Sequence, residues 1–149
     1  MQPAICLLSV IPMRKEPSHR SEMVSQVLFG EYVTMGEEQD DFVFATCEYD
    51  GYQGWVQSKQ LTLIEQKDIL RTTIYTANYA TPVTRNQTML QVPFTSPVYR
   101  QDGFSFTAAA TNFSYLMVAQ QTWDSAAQTF NRQTLTAAYQ PFINAPYLW

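Results

Sequence analysis

The chain has 149 residues, of which 46% are hydrophobic and 15% are charged, and this composition is typical of a globular protein. The formal net charge of −4 excludes the basic surface on which phosphate-dominated binding depends, so no nucleic-acid partner is expected. The longest charge-free run, residues 103–123, is interrupted by Ser, Thr, Asn and Gln side chains. No membrane-spanning segment is therefore expected.

The distribution of charge divides the chain after Asp68. Up to that residue there are eleven acidic and five basic residues, whereas the remainder has two acidic and four basic residues. In the first stretch, short runs rich in Val, Ile, Phe and Tyr predict five strands. These strands are predicted at residues 4–10, 31–35, 41–47, 54–57 and 61–64. Asp50-Gly51 predicts a type I′ hairpin turn between the third and fourth strands. The result is a five-stranded antiparallel barrel with a long polar segment at residues 12–26.

The second stretch repeats this pattern loosely. Its predicted strands are residues 72–79, 89–92, 98–100, 104–108 and 115–120, with a second Asp-Gly pair at 102–103. Leu135, Ala138, Tyr139 and Phe142 follow the spacing of one helix face, and Pro141 predicts that the helix ends near Gln140 or is kinked.

We therefore predict a mainly β protein that contains two small β-barrels and a short C-terminal helix. The expected domains are residues 1–66 and 67–130, followed by a helix and linker at residues 131–149.

The residues that usually carry out catalysis are sparse. His19 is the single histidine, and no set of His, Cys and Asp residues has metal-ligand spacing. Cys6 and Cys47 form no CxxC motif and are expected to be reduced core residues. We therefore predict no catalytic residue, no metal site and no cofactor within this chain.

The polar loop at residues 12–22 is longer than a turn requires, and long loops of this kind often carry function. A solvated charged loop, with His19 in water, is the alternative. Tyr52 and Trp55 flank Gly54 and can form an aromatic shelf beside this loop, although the apolar surroundings of Trp55 are equally typical of a core residue.

Four segments resemble a known family: Ile-Pro-Met-Arg at 11–14, Glu-Pro-Ser-His-Arg-Ser-Glu-Met at 16–23, Gln-Val-Leu-Phe-Gly-Glu at 26–31 and Asp-Gly-Tyr-Gln-Gly-Trp-Val at 50–56. They resemble the N-terminal bacterial SH3-like (SH3b) region of NlpC-family cysteine peptidases, the γ-D-glutamyl-L-diamino-acid endopeptidases that cut cell-wall peptides. Residues 69–140 resemble a second SH3b domain only loosely. Residues 144–149 resemble the segment that enters the catalytic domain, which this chain lacks.

The resemblance implies two SH3-like β-barrels that precede a papain-like Cys-His domain. It further implies that Glu22 and Tyr52 bind the free α-amine of the N-terminal L-Ala in an L-Ala-γ-D-Glu-diamino-acid peptide. In an SH3-like barrel the first loop and the hairpin aromatics share a face, so His19, Ser21 and Trp55 are expected in the wall of the same cleft.

The expected function is substrate recognition and scaffolding in a murein-peptide endopeptidase that recycles peptidoglycan. The chain by itself is not expected to be a hydrolase. The N-terminus lacks the features of a signal peptide, so the expected location is cytoplasmic, or periplasmic if Met1 is not native. The alternatives are a stand-alone SH3b module that binds cell-wall or proline-rich peptide, and a structural spacer.

Overall fold

The structure is a computed structural model that describes residues 1–129 and 131–144, so Phe130 and residues 145–149 of the predicted helix and linker lie outside the described residues. It confirms a mainly β protein with barrel-like, curled antiparallel sheets and a short C-terminal helix. The elements are β1 (Gln2–Cys6), β2 (Val10–Arg14), β3 (Met23–Leu28), β4 (Tyr32–Gln39), β5 (Phe42–Cys47), β6 (Gln53–Gln57), β7 (Leu61–Leu63), β8 (Ile74–Thr76), β9 (Ala80–Arg85), β10 (Thr88–Pro93), β11 (Ser105–Ala108), β12 (Thr111–Tyr115), β13 (Thr122–Asp124) and α1 (Arg132–Tyr139).

The first seven strands form one antiparallel sheet in the order β3-β2-β6-β5-β4-β1-β7, which we call the first barrel. The predicted hairpin at Asp50-Gly51 joins β5 to β6. The prediction of a type I′ turn is wrong, because Gly51 has a φ of 74° but Asp50 is not in the left-handed region. The N–H of Gly51 instead donates to the carbonyl of Cys47 at 3.0 Å, which closes a longer turn.

The prediction of five strands is also wrong, and the loop predicted at residues 12–22, within the polar segment 12–26, is shorter than expected. Strands β2 and β3 occupy residues 12–14 and 23–26 of this segment and pair with each other, so the connecting loop is residues 15–22. β3 lies at the edge of the sheet, where one of its faces meets solvent. Polar residues such as Ser25 and Gln26 are therefore compatible with a strand at this position.

Gly54 in β6 allows β2 to pass close by. A Cβ atom on Gly54 would overlap the side chain of Met13 and would lie 3.0 Å from the carbonyl oxygen of Arg14. The backbone of β2 therefore approaches β6 closely only because residue 54 has no side chain. Arg14 and Trp55 are Cα partners at this junction.

The chain after the first barrel forms a four-stranded sheet in the order β10-β9-β12-β11 and a two-stranded sheet of β8 and β13. The sequence did not predict β9, which contains Pro82, a residue that argues against a strand. The strands predicted at residues 98–100 and 115–120 are wrong. Val98 and Tyr99 are buried without belonging to a strand, and β12 ends at Tyr115.

Glycine-free turns explain why these hairpins were not recognised. Asn86 and Gln87, which join β9 to β10, have φ values of 44° and 69°. Ala109 and Ala110, which join β11 to β12, have φ values of 46° and 59°. Such turns normally carry an Asn-Gly, Asp-Gly or Gly-Gly pair, and neither turn contains one, so the usual hairpin signal is missing from the sequence.

A shared hydrophobic core joins the first barrel to the four-stranded sheet. The ring of Phe29 lies edge-on to Phe106 at 5.9 Å and to Phe113 at 5.4 Å between ring centroids. Ile5 and Tyr32 of the first barrel belong to the same cluster. A second cluster, which includes Ile11, Val27 and Val43, fills the first barrel alone. The domain division at residues 66/67 and 130/131 stays a prediction.

The C-terminal helix begins after Asn131, whose side-chain oxygen accepts hydrogen bonds from the N–H groups of Gln133 at 2.9 Å and Thr134 at 3.0 Å. It ends at Tyr139 and continues as a 3₁₀ turn over Gln140–Phe142, so the predicted end near Gln140 is confirmed. No helix in the described ranges is long and apolar enough to cross a membrane.

Candidate functional site

The loop at residues 15–22 is held by short hydrogen bonds to the ends of β2 and β3. The Arg14 guanidinium donates to the carbonyl of Ser21 at 2.8 Å, and the N–H of Lys15 donates to the carbonyl of Glu22 at 3.0 Å. The hydroxyl of Ser21 accepts a hydrogen bond of 2.9 Å from the N–H of Glu16. These bonds close the loop and leave the Glu22 side chain exposed at the beginning of β3.

Tyr52 reaches the same end of β3 from the β5–β6 turn. Its N–H donates to the carboxylate of Asp50 at 2.9 Å, which positions its backbone within the turn. Its hydroxyl donates to the carbonyl of Val24 at 3.4 Å, two residues after Glu22. The structure therefore brings Glu22 and Tyr52, which are 30 positions apart in the sequence, to one edge of the barrel.

His19 and Trp55 both pack against aromatic residues of β5. The exposed His19 ring lies edge-on to Phe42 at 5.0 Å, so the loop tip folds back over the beginning of β5. Trp55 is half-buried and lies edge-on to Phe44 at 5.3 Å. Trp55 is thus neither fully core nor free in solvent. It lies opposite Arg14, whose guanidinium binds the loop that carries Ser21 and Glu22.

The Glu22 carboxylate is available to a ligand. Among the described residues it makes no hydrogen bond and no ion pair. The ion pair that the described residues do form, at 2.8 Å, joins Lys67 to Glu65. The Tyr52 hydroxyl uses its proton toward Val24 and keeps lone pairs that can accept a hydrogen bond. A carboxylate and a phenol oxygen in this arrangement can accept hydrogen bonds from a primary ammonium group.

The two cysteines have the environment of core residues. Both are buried and free, and burial raises the pKa of each thiol to about 12. The Cys6 thiol donates to the carbonyl of Leu8 at 3.2 Å. Neither group is a thiolate at neutral pH. The described residues also contain no group of three or more His, Cys, Asp or Glu side chains that could hold a metal ion.

Sequence reasoning did not find a cavity of about 400 Å³ on the side of the molecule formed by β8, β13 and α1. Its walls include Glu31 and Tyr49 of the first barrel together with Tyr75 and Trp123. These residues come from separate segments, and the pairing of β8 with β13 that joins two of them is not visible in the sequence.

Residues 13–61 match the family model described as the bacterial dipeptidyl-peptidase Sh3 domain. The matched residues include both Glu22 and Tyr52 and the whole of β3, β4, β5 and β6, whereas β1 and most of β2 and β7 lie outside the match. Over these residues the first barrel is similar to a bacterial SH3 domain. The resemblance to an SH3b region is thereby confirmed for this part of the chain.

The whole chain shares its fold with a solved structure described as an NlpC/P60 family protein from Bacillus cereus ATCC 10987. The TM-score is 0.75 with 16% sequence identity, and the match covers 99% of this chain. It covers 65% of that protein's chain, so this chain spans just under two thirds of that protein's length. None of the curated proteins matches this chain.

Proposed function

We propose that this chain is the substrate-recognition and scaffolding region of a murein-peptide endopeptidase. Its substrates are L-Ala-γ-D-Glu-diamino-acid peptides, and a cysteine-peptidase domain C-terminal to residue 149 carries out the cleavage. The family model across residues 13–61 and the NlpC/P60 fold of the whole chain support this proposal. Recycling of murein peptides in the cytoplasm is the accompanying role.

Glu22 and Tyr52 are the proposed ligands of the free α-amine of the substrate's N-terminal L-Ala. The observation that carries this assignment is the hydrogen bond from the Tyr52 hydroxyl to the carbonyl of Val24, because it positions the phenol two residues from Glu22. A charged carboxylate gives the stronger, charge-assisted hydrogen bond to the ammonium group, and the phenol oxygen supplies a second, neutral acceptor.

His19, Ser21 and Trp55 are proposed to form the wall of the same cleft. Ser21 acts through its backbone, since its carbonyl accepts the Arg14 guanidinium and holds Glu22 in place. The Arg14 guanidinium is engaged by this carbonyl and therefore is not free to pair with the Glu22 carboxylate.

The decisive experiment compares two substrates in the chain extended through its catalytic domain. One is the L-Ala-γ-D-Glu-diamino-acid peptide with a free α-amine, and the other is the same peptide with that amine acetylated. The wild-type protein should lose most of its kcat/KM on the acetylated peptide, whereas Glu22→Ala should lose much less. Equal cleavage of both peptides by the wild-type protein would show that Glu22 does not bind an amine.

A further inference from the structure

The cavity of about 400 Å³ beside α1 lies within the size range of small-molecule sites. The first barrel, the β8–β13 pair, the segment after β10 and helix α1 each supply part of its wall. The cavity lining includes one carboxylate, four aromatic rings and one aliphatic side chain, which belong to Glu31, Tyr49, Tyr75, Phe94, Trp123 and Leu135. We call this space the aromatic cavity.

Three of the aromatic rings lie next to one another. Tyr75 of β8 and Trp123 of β13 are directly opposite Cα partners, so their side chains project from the same face of the two-stranded sheet. Tyr49 meets Tyr75 edge-on, with 6.1 Å between the ring centroids and 72° between the ring planes. The rings therefore form adjoining walls at a steep angle rather than one flat surface.

Glu31 is the charged residue that lines this cavity among the described residues. One carboxylate oxygen accepts a hydrogen bond of 2.8 Å from the N–H of Leu28, which orients the side chain and leaves the second oxygen for a ligand. Burial raises the pKa of Glu31, so its negative charge carries a desolvation cost. Glu31 also lines a smaller adjoining cavity of about 80 Å³ together with Arg71, but no ion pair forms between these two residues.

Glu31 also affects the ring that forms the cavity wall. Burial is the main reason that the pKa of the Tyr75 phenol is raised, and the negative charge of the Glu31 carboxylate adds to it. Because Glu31 is the charged residue among the lining residues, a cation is favoured in the cavity over a further negative charge. Aromatic faces act in the same direction, since their quadrupole attracts cations.

We propose that the aromatic cavity binds an organic ammonium group, with its alkyl portion against Tyr49, Tyr75 and Trp123 and its charge facing Glu31. The rings supply apolar contact and cation–π attraction, while the bound cation offsets the desolvation cost of the carboxylate. This inference does not depend on the proposed function, because neither Glu22 nor Tyr52 lines the cavity.

The first test measures binding to the 149-residue chain by titration calorimetry. The probes are choline, its neutral carbon isostere 3,3-dimethylbutan-1-ol, and n-butylammonium as a primary amine. Choline or n-butylammonium should bind at least about tenfold more tightly than the neutral alcohol, because only the cations gain from the rings and the carboxylate. The tighter of the two cations shows whether the natural ligand carries a methylated or a primary ammonium group. Equal binding of the alcohol, or no binding of either cation, would overturn the proposal.

The second test uses variants that leave the fold intact. Glu31→Gln keeps an oxygen for the N–H of Leu28 and removes the charge, and we expect it to weaken cation binding by about tenfold or more. Tyr49→Leu changes a side chain that is 73% exposed and should weaken binding by about threefold to tenfold. Glu38→Gln, on the exposed end of β4, is the matched control and should bind as the wild type does. Wild-type affinity in Glu31→Gln would contradict the proposal.

Discussion

The phenol of Tyr99 donates a 2.8 Å hydrogen bond to the carbonyl of Gly30, across 69 positions of the sequence. Gly30 has a φ of 83°, and a Cβ atom at this position would lie 3.2 Å from the Tyr99 ring. The absence of a side chain on Gly30 therefore lets the ring approach the backbone of the first barrel. The contact joins the SH3 domain to the segment between β10 and β11.

Removing this hydrogen bond should destabilise the protein. Tyr99→Phe keeps the ring but leaves the buried carbonyl of Gly30 without its partner, which costs about 1–3 kcal/mol. Urea unfolding followed by circular dichroism measures this change in the free energy of unfolding. Tyr79→Phe, at a side chain that is 60% exposed, is the control and should change stability little. An unchanged stability for Tyr99→Phe would mean that water replaces the phenol.

The shared core predicts that the first barrel and the four-stranded sheet unfold together. Phe106→Ala removes a ring that contacts Phe29, Tyr99 and Phe113 and should cost about 3–5 kcal/mol. In this variant, hydrogen exchange should show that the free energy of opening falls by the same amount for the most protected amides of β5 and for those of β9. Unchanged protection in β5 would instead show that the SH3 domain is stable independently of the sheet.

The turn at Ala109-Ala110 predicts a stabilising substitution. Both alanines have positive φ, a region that costs an L-residue about 1–2 kcal/mol and that glycine adopts freely. Ala110→Gly should therefore raise the free energy of unfolding by about 1 kcal/mol, measured by thermal and urea unfolding. Ala108→Gly, one position before the turn in β11, should have the opposite effect, because glycine weakens a strand. Destabilisation by both variants would contradict the assigned turn.

The buried thiol of Cys6 predicts a loss of stability at alkaline pH. Burial raises its pKa from 9.0 to about 12, so only the unfolded chain releases this proton between these two values. The contribution is complete below pH 9 and is lost as the pH rises toward 12, at about 1.4 kcal/mol per pH unit for one group. Urea unfolding from pH 8 to 11 should show a shallower fall for Cys6→Ala than for the wild type. Identical slopes would rule out a raised pKa.

The proposed amine site predicts unequal effects for its two residues in the chain extended through its catalytic domain. Glu22→Ala removes a charge-assisted contact of about 1.5–3 kcal/mol, which corresponds to about tenfold to a hundredfold in kcat/KM. Tyr52→Phe removes a neutral acceptor of about 1 kcal/mol, or about fivefold. Glu16→Ala is the control, since its exposed side chain lies in the same loop. A larger loss for Tyr52→Phe than for Glu22→Ala would contradict these roles.

Local signals predicted some elements correctly. Asp50-Gly51 marks a hairpin whatever the turn type, and the spacing of Leu135, Ala138 and Tyr139 marks the C-terminal helix. Strands β3 and β9 were missed, because an edge strand such as β3 tolerates polar residues and Pro82 interrupts the usual strand pattern in β9.

The sequence by itself determined that this is a mainly β protein, where its clearest turn lies, and which residues resemble an SH3b amine site. These features depend on backbone preferences and on local runs of residues. Only the tertiary structure placed the Tyr52 hydroxyl beside the strand that follows Glu22, packed Phe29 against Phe106, and joined Glu31 to Tyr75 and Trp123 around one cavity. Such contacts depend on strand pairing between distant segments, because register and packing decide which side chains share a face.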